Sequence, residues 1–109
     1  MDDARISLSE RFRRSEDVVA RKIAGEFILV PIVRRSADLD SIFDLNSVGS
    51  FIWERLDGYT SGQEIVHVLT EEFDVSEVQA AEDYRVFLEQ LSSIGVVART
   101  PEASSVEEV

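Results

Sequence analysis

The chain predicts an α+β fold in which a three-stranded antiparallel sheet is followed by three helices. Two observations carry this expectation. Up to Leu45 the apolar residues fall in short β-branched runs broken by turn residues, and from Asn46 onward their period changes to that of a helix. Each helical stretch also opens on a side chain able to cap it and closes at or near a glycine or an acidic turn.

In chain order, residues 1–16 mix charge and polarity without a clean period and read as a frayed arm or short helix. Val18 to Ala24 alternates weakly, and Phe27 to Val33 is a dense apolar run. Gly25-Glu26 between them, with glycine first, suits a type II′ hairpin turn. Pro31 cannot donate to a ladder and predicts a bulge or an early end to pairing. A loop from Arg34 to Leu39 leads to the third run, Ser41 to Leu45, with Phe43 and Leu45 on one face and Ile42 and Asp44 on the other. Asn46 or Ser47 caps a first helix with apolar positions Val48, Phe51, Ile52 and Leu56, ended by Gly58. Trp53 lies beside that stripe and reads as semi-buried core first and a partner contact second. Thr60 with Gln63 forms a capping-box pattern ahead of Ile65, Val66, Leu69 and Phe73. Ser76 with Gln79 repeats it ahead of Ala80, Tyr84, Phe87, Leu91 and Ile94, and Gly95 ends the third helix. Val96 to Ala98 adds a short extended segment. Residues 17–100 are then one domain, and residues 101–109 a small, polar, acidic tail expected to be disordered.

Composition narrows the function classes. The 109 residues suit one compact domain. With no cysteine there are no disulfides, thiolate metal sites or cysteine nucleophiles. No apolar run approaches the ~20 residues of a membrane span, and the start has no signal-peptide apolar region, so the expected location is the cytoplasm. The net charge is −11. It is uneven: residues 1–35 carry 8 basic and 6 acidic side chains, residues 36–109 carry 3 and 16. Such a surface repels phosphate backbones, so nucleic acid is disfavoured as a partner, and basic or apolar faces are favoured.

Catalytic signals are weak. His67 is the single imidazole, mid-helix, and reads as a surface or boundary residue. Lys22 is the single lysine, and the five glycines are too scattered for a phosphate loop. Glu71, Glu72 and Asp74, and Glu82 with Asp83, read as solvated acidic faces. Two helical carboxylates can hold a divalent ion, but such sites usually add further ligands. No metal and no cofactor is therefore expected. What remains is interaction: the short third strand is a sheet edge, either protected or used to pair with an extended peptide.

The segments FILVPI, SIFDLNSVGSFIWERLDG and EIVHVLTEEFDVSEVQAAEDYRVFLEQLSSIGVV together resemble the PqqD family of pyrroloquinoline quinone biosynthesis. The similarity covers about residues 18–98 and is carried by Leu45-Asn46, Ile52-Trp53, Asp57-Gly58, Glu64-Ile65, Phe73 and the stretch from Asp83 through Phe87, Leu88 and Leu91 to Gly95. It implies a winged helix-turn-helix-like fold and a non-catalytic peptide chaperone. Such a protein binds the leader of a ribosomally made precursor by strand addition and presents it to a modifying enzyme, a radical S-adenosylmethionine protein or a leader peptidase. Transferred by position, the peptide-binding residues would be Ser41, Ile42, Phe43, Asp44 and Leu45 on the strand. On the third helix they would be Asp83, Val86, Phe87 and Gln90, with Asp83 placed to meet a basic leader residue. Either Ile42 and Asp44 or Phe43 and Leu45 would flank the peptide, according to which face is open. Many family members carry a Pro-Glu-Gly turn where this chain has Arg35 to Leu39, so it looks like a divergent stand-alone branch. A winged-helix DNA-binding or transcription-partner protein is the alternative, and it requires a basic recognition helix. Monomer and swapped dimer are both compatible with the open edges.

Overall fold

A computed structural model describes residues 6–32 and 43–100. The expected meander is present as β2 (Val18–Ile23), β3 (Glu26–Pro31) and β4 (Phe43–Asp44), antiparallel in that order. The expected helices follow as α1 (Ser47–Glu54), α2 (Gly62–Glu72) and α3 (Glu77–Ser93). The fold is mixed α+β, with a second small sheet that the sequence only hinted at. That sheet joins β5 (Asp57–Ser61), β1 (Arg11–Arg14) and β6 (Val97–Thr100) in the order β5-β1-β6. Only β6 corresponds to an expected segment.

The turn between β2 and β3 is Ala24-Gly25 rather than Gly25-Glu26. Ile23 pairs with Glu26, and both central residues have positive φ, 54° and 86°. That is the type I′ pattern, whose twist matches the strands it joins, and it leaves Ala24 in a conformation an L-residue with a Cβ disfavours. β3 ends at Pro31, as a residue without an N–H dictates.

Residues 6–16 differ from the expected free arm. Phe12 and Ile6 are both buried, and Arg11–Arg14 pairs with both β5 and β6. Arg14 donates from Nη1 to the carbonyls of Trp53 (2.9 Å) and Glu54 (3.0 Å), a cation placed at the negative end of α1. Arg11 Nε donates to Tyr59 O at 2.9 Å. These arginines hold the fold, and local pattern cannot show that because their partners lie some forty residues on.

Gly58 is not the terminator of α1. Arg55 caps that helix, and Gly58 (φ +87°) lies within β5, where an added Cβ would sit 3.4 Å from Arg13 Cβ and Thr100 Oγ1. Asp57 opens this strand by accepting the N–H groups of Tyr59 and Thr60, both at 2.9 Å, and the Thr60 hydroxyl at 3.1 Å. Partial burial alone would raise its pKa, but these bonds together hold the carboxyl below its usual range. The capping box of α2 lies one residue later than the sequence pattern placed it, at the last residue of β5. Ser61 accepts from Glu64 N–H, and the Glu64 carboxylate accepts from Ser61 N–H. Ser76 caps α3, accepting from Gln79 N–H at 3.1 Å, but the expected box is only half formed, since the Gln79 side chain donates to Asp83 at 2.8 Å instead.

The core lies between the helices and the inner faces of both sheets. Phe12, Leu29, Ile52, Leu56, Ile65, Leu69, Tyr84 and Leu88 are its largest buried side chains, and Trp53 joins them at 2% exposure. On α3 the innermost line runs through Ala80, Tyr84, Leu88 and Leu91. Phe87, expected within that line, is only half-buried.

Candidate functional site

The site is built where β4 meets α3. β4 is the last strand of its sheet, so among the described residues its outer edge has no partner strand. Leu45 N–H donates to Phe27 O at 2.8 Å. Phe43 pairs with Leu29 and Asp44 with Ile28. In an antiparallel ladder successive residues bond to opposite sides. Since Leu45 and Phe43 bond toward β3, the N–H and C=O of Asp44 point to the open edge.

Side-chain alternation divides the two faces. Phe43 shares its face with the fully buried Leu29 and packs on the core, while Asp44 shares the outer face with Ile28 and is exposed. Leu45 is 7% exposed and belongs to the core. The open face is thus that of Asp44, with Phe43 and Leu45 turned inward.

Ser50 fixes this strand to α1. Its buried hydroxyl accepts from Phe27 N–H at 2.9 Å and donates to Leu45 O at 3.3 Å. Ser50→Ala leaves a buried donor and acceptor unpaired, so a loss of about 1–3 kcal/mol is expected in denaturant unfolding. Asn46, the N-cap of α1, accepts from Gly49 N–H at 2.8 Å and completes the strand-to-helix junction.

Two adjoining hollows open beside β4. One, of about 550 Å³, is lined by Phe43, Asp44, Leu45 and Asn46 on one side and by Phe87, Gln90, Leu91 and Ile94 on the other. The next, of about 320 Å³, runs between α1 and α3 and is lined by Val48, Gly49, Asp83, Val86, Phe87 and Gln90 among others. Asp83, Val86, Phe87 and Gln90 recur at helical spacing and so share one face of α3. A third hollow of about 220 Å³ continues past Asp44 to Glu26, Ile28 and Ile23.

Seven of the nine expected site residues, from Phe43 to Leu45 and from Asp83 to Gln90, therefore line one continuous groove. Ser41 and Ile42 lie outside the described residues. The sequence missed Gly49, Leu91 and Ile94. Gly49 matters through its size, because a Cβ there would stand 3.1 Å from Phe87 Cε1. The missing side chain lets Phe87 lie against α1 and form the groove floor. A glycine inside a helical pattern was the available signal.

The remaining candidates lie apart from the groove. His67 is exposed and pairs with Glu71 at 3.2 Å, and Lys22 pairs with Glu54 at 2.8 Å. The Lys22 ammonium, hydrogen-bonded to Glu54, holds that carboxyl below its usual range. Among the described residues no group of three or more His, Asp or Glu side chains is placed to share a metal ion. No helix among them is long and apolar enough to cross a membrane. The single cation of α3, Arg85, donates from Nε to Ile6 O at 3.2 Å. Its helix otherwise presents Glu77, Glu82, Asp83 and Glu89, a poor face for a phosphate backbone.

Residues 26–97 match the family described as Coenzyme PQQ synthesis protein D (PqqD). Among solved structures the chain is similar to TbiB1 in complex with the TbiA(beta) leader peptide. Identity is 28%, coverage is 78% of this chain and 93% of that one, and the TM-score is 0.66. A second similar structure is a lasso peptide synthetase B1 complexed with its leader peptide. There identity is 19%, coverage 81% and 98%, and the TM-score 0.67, a likeness of fold. A comparison with curated proteins finds no match.

Proposed function

The chain belongs to the PqqD family, and from that premise we propose that it binds the leader of a ribosomally synthesised precursor peptide as a strand added to β4. It then presents the precursor to a modifying enzyme, either a radical S-adenosylmethionine enzyme or a leader peptidase. It is not itself a catalyst, and its work on a freshly made precursor is cytoplasmic.

One observation carries this proposal: an edge strand with outward main-chain groups at Asp44 lies directly beside an apolar groove on α3. Main-chain bonds supply affinity in strand addition, and pockets for alternate side chains supply specificity. The solved structure at 28% identity is itself a complex with a leader peptide, which supports the same use here. Ordering an unstructured leader costs roughly 2–5 kcal/mol, so the groove's apolar contacts must offset that as well as hold the strand.

Amide NMR shifts of the labelled chain, recorded while titrating short peptides encoded beside its gene, test the proposal. Shifts concentrated on Phe43 to Leu45 and on the Asp83 to Gln90 segment are expected. A neighbouring peptide that binds while leaving both segments unmoved would overturn the assigned site.

A further inference from the structure

We infer that the groove selects peptides in which apolar and cationic side chains alternate, with a Lys or Arg opposite Asp44. This deepens the leader-binding proposal and rests on it.

A strand added to β4 inherits its period of two. Residues on the Phe43 side turn toward α3 and meet Phe87, Leu91 and Ile94, an apolar wall. Residues on the Asp44 side stay on the outer face, where Asp44, Glu26 and Ile28 lie together. The two sides of the incoming peptide therefore see different chemistry. One calls for apolar anchors, and the other for a positive charge with an aliphatic stem that can lie on Ile28.

The charges agree along the whole groove. Among the described residues, none that lines the three hollows is a lysine, arginine or histidine. Among the described residues Asp44 has no ion pair. Among the described residues Asp83, at the far end, accepts only the amide of Gln79 at 2.8 Å, which leaves its second carboxylate oxygen for another cation. A glutamate or aspartate in the peptide would instead face like charge directly across the ladder, which is destabilising. The acidic excess of residues 36–109 acts in the same direction over longer range.

The test uses the full chain and an unbiased display library of 12-residue peptides, so it needs no known precursor. Selected peptides that shift the amides of Phe43 to Leu45 are expected to carry Lys or Arg at alternate positions between apolar residues. Asp44→Asn should weaken them by about 2–5-fold, and the difference should shrink in high salt. Asp44 and its neighbours on the outer face are solvent-facing, so an unchanged melting temperature is expected for the variant. Groove-binding peptides without a cationic excess, or peptides that tolerate Lys→Glu at those positions, would overturn the charge selection while leaving leader binding intact. A library that yields no peptide on β4 and α3 would overturn both.

Discussion

Gly62→Ala is expected to destabilise the domain by about 1–3 kcal/mol, although alanine is the better helix former. Gly62 is the first residue of α2, and a Cβ placed there would stand 2.6 Å from Tyr84 Cε2, 2.9 Å from Cζ and 3.0 Å from the hydroxyl. These are overlaps with a ring, not with the far end of a flexible side chain. Tyr84 is fully buried, so its ring has no open space to turn into. The helix start is held as firmly: Gly62 N–H donates to Glu10 O, Gln63 N–H donates to Leu8 O, and the Ser61–Glu64 capping box closes the turn. Overpacking therefore outweighs the gain in propensity. In a domain of this size each kcal/mol lowers the melting temperature by roughly 4–8 °C, a readily measured change. Tyr84→Leu removes the ring, and in that background the cost of Gly62→Ala should shrink. The double-mutant cycle then reports the overlap directly. An unchanged melting temperature for Gly62→Ala alone would mean that α2 and α3 slide apart easily.

The same two residues show what the sequence could and could not reveal. Tyr84 is legible as core because it recurs at helical spacing with Ala80 and Leu91. Its partner Gly62 is not, since nothing local says that a ring from twenty-two residues downstream will lie over it. The meander β2-β3-β4 and the three helices were legible for the reason Tyr84 was: period, caps and glycines are local signals. Even there the fine detail moved by one residue twice, at the Ala24-Gly25 turn and at the Ser61–Glu64 box. At the first of these, β3 took up Glu26, which local pattern had assigned to the turn.

The sheet β5-β1-β6 was mostly illegible. Its strands are four or five residues long, and β1 contributes one buried apolar residue, Phe12, among three arginines. What makes Arg11–Arg14 a strand is pairing with residues near 60 and near 100, which leaves no periodic trace. The groove was legible in a different way. The resemblance named its α3 residues, but the helical stripe read Phe87 as core, whereas the buried line runs through Tyr84, Leu88 and Leu91 and leaves Phe87 at its edge. The direction in which Asp44 presents its main chain needed the register of β4 on β3.

That register makes Asp44→Pro the sharpest probe of strand addition. Proline removes the one N–H that Asp44 turns to the open edge and leaves the bonds of Phe43 and Leu45 to β3 in place. Proline is tolerated in edge strands where the lost donor faces outward, and the extended backbone it imposes on the preceding residue is the one Phe43 already has. The folded domain should therefore melt close to the parent. A bound peptide, however, would leave one carbonyl unpaired on a desolvated edge, which costs about 1–3 kcal/mol, or roughly 5–150-fold in affinity. Asp44→Ala separates the two roles of this residue, because it deletes the carboxylate and keeps the N–H. Its effect should be at least that of Asp44→Asn but stay within the roughly 0.2–1 kcal/mol of a cross-strand pair. Phe43→Asp is a poorer probe, since Phe43 packs on the core and its loss would mix stability with binding. If Asp44→Pro folds and binds groove-directed peptides as tightly as the parent, the peptide is held by side-chain pockets on α3 alone. The added strand on β4 would then be wrong even though the groove were right.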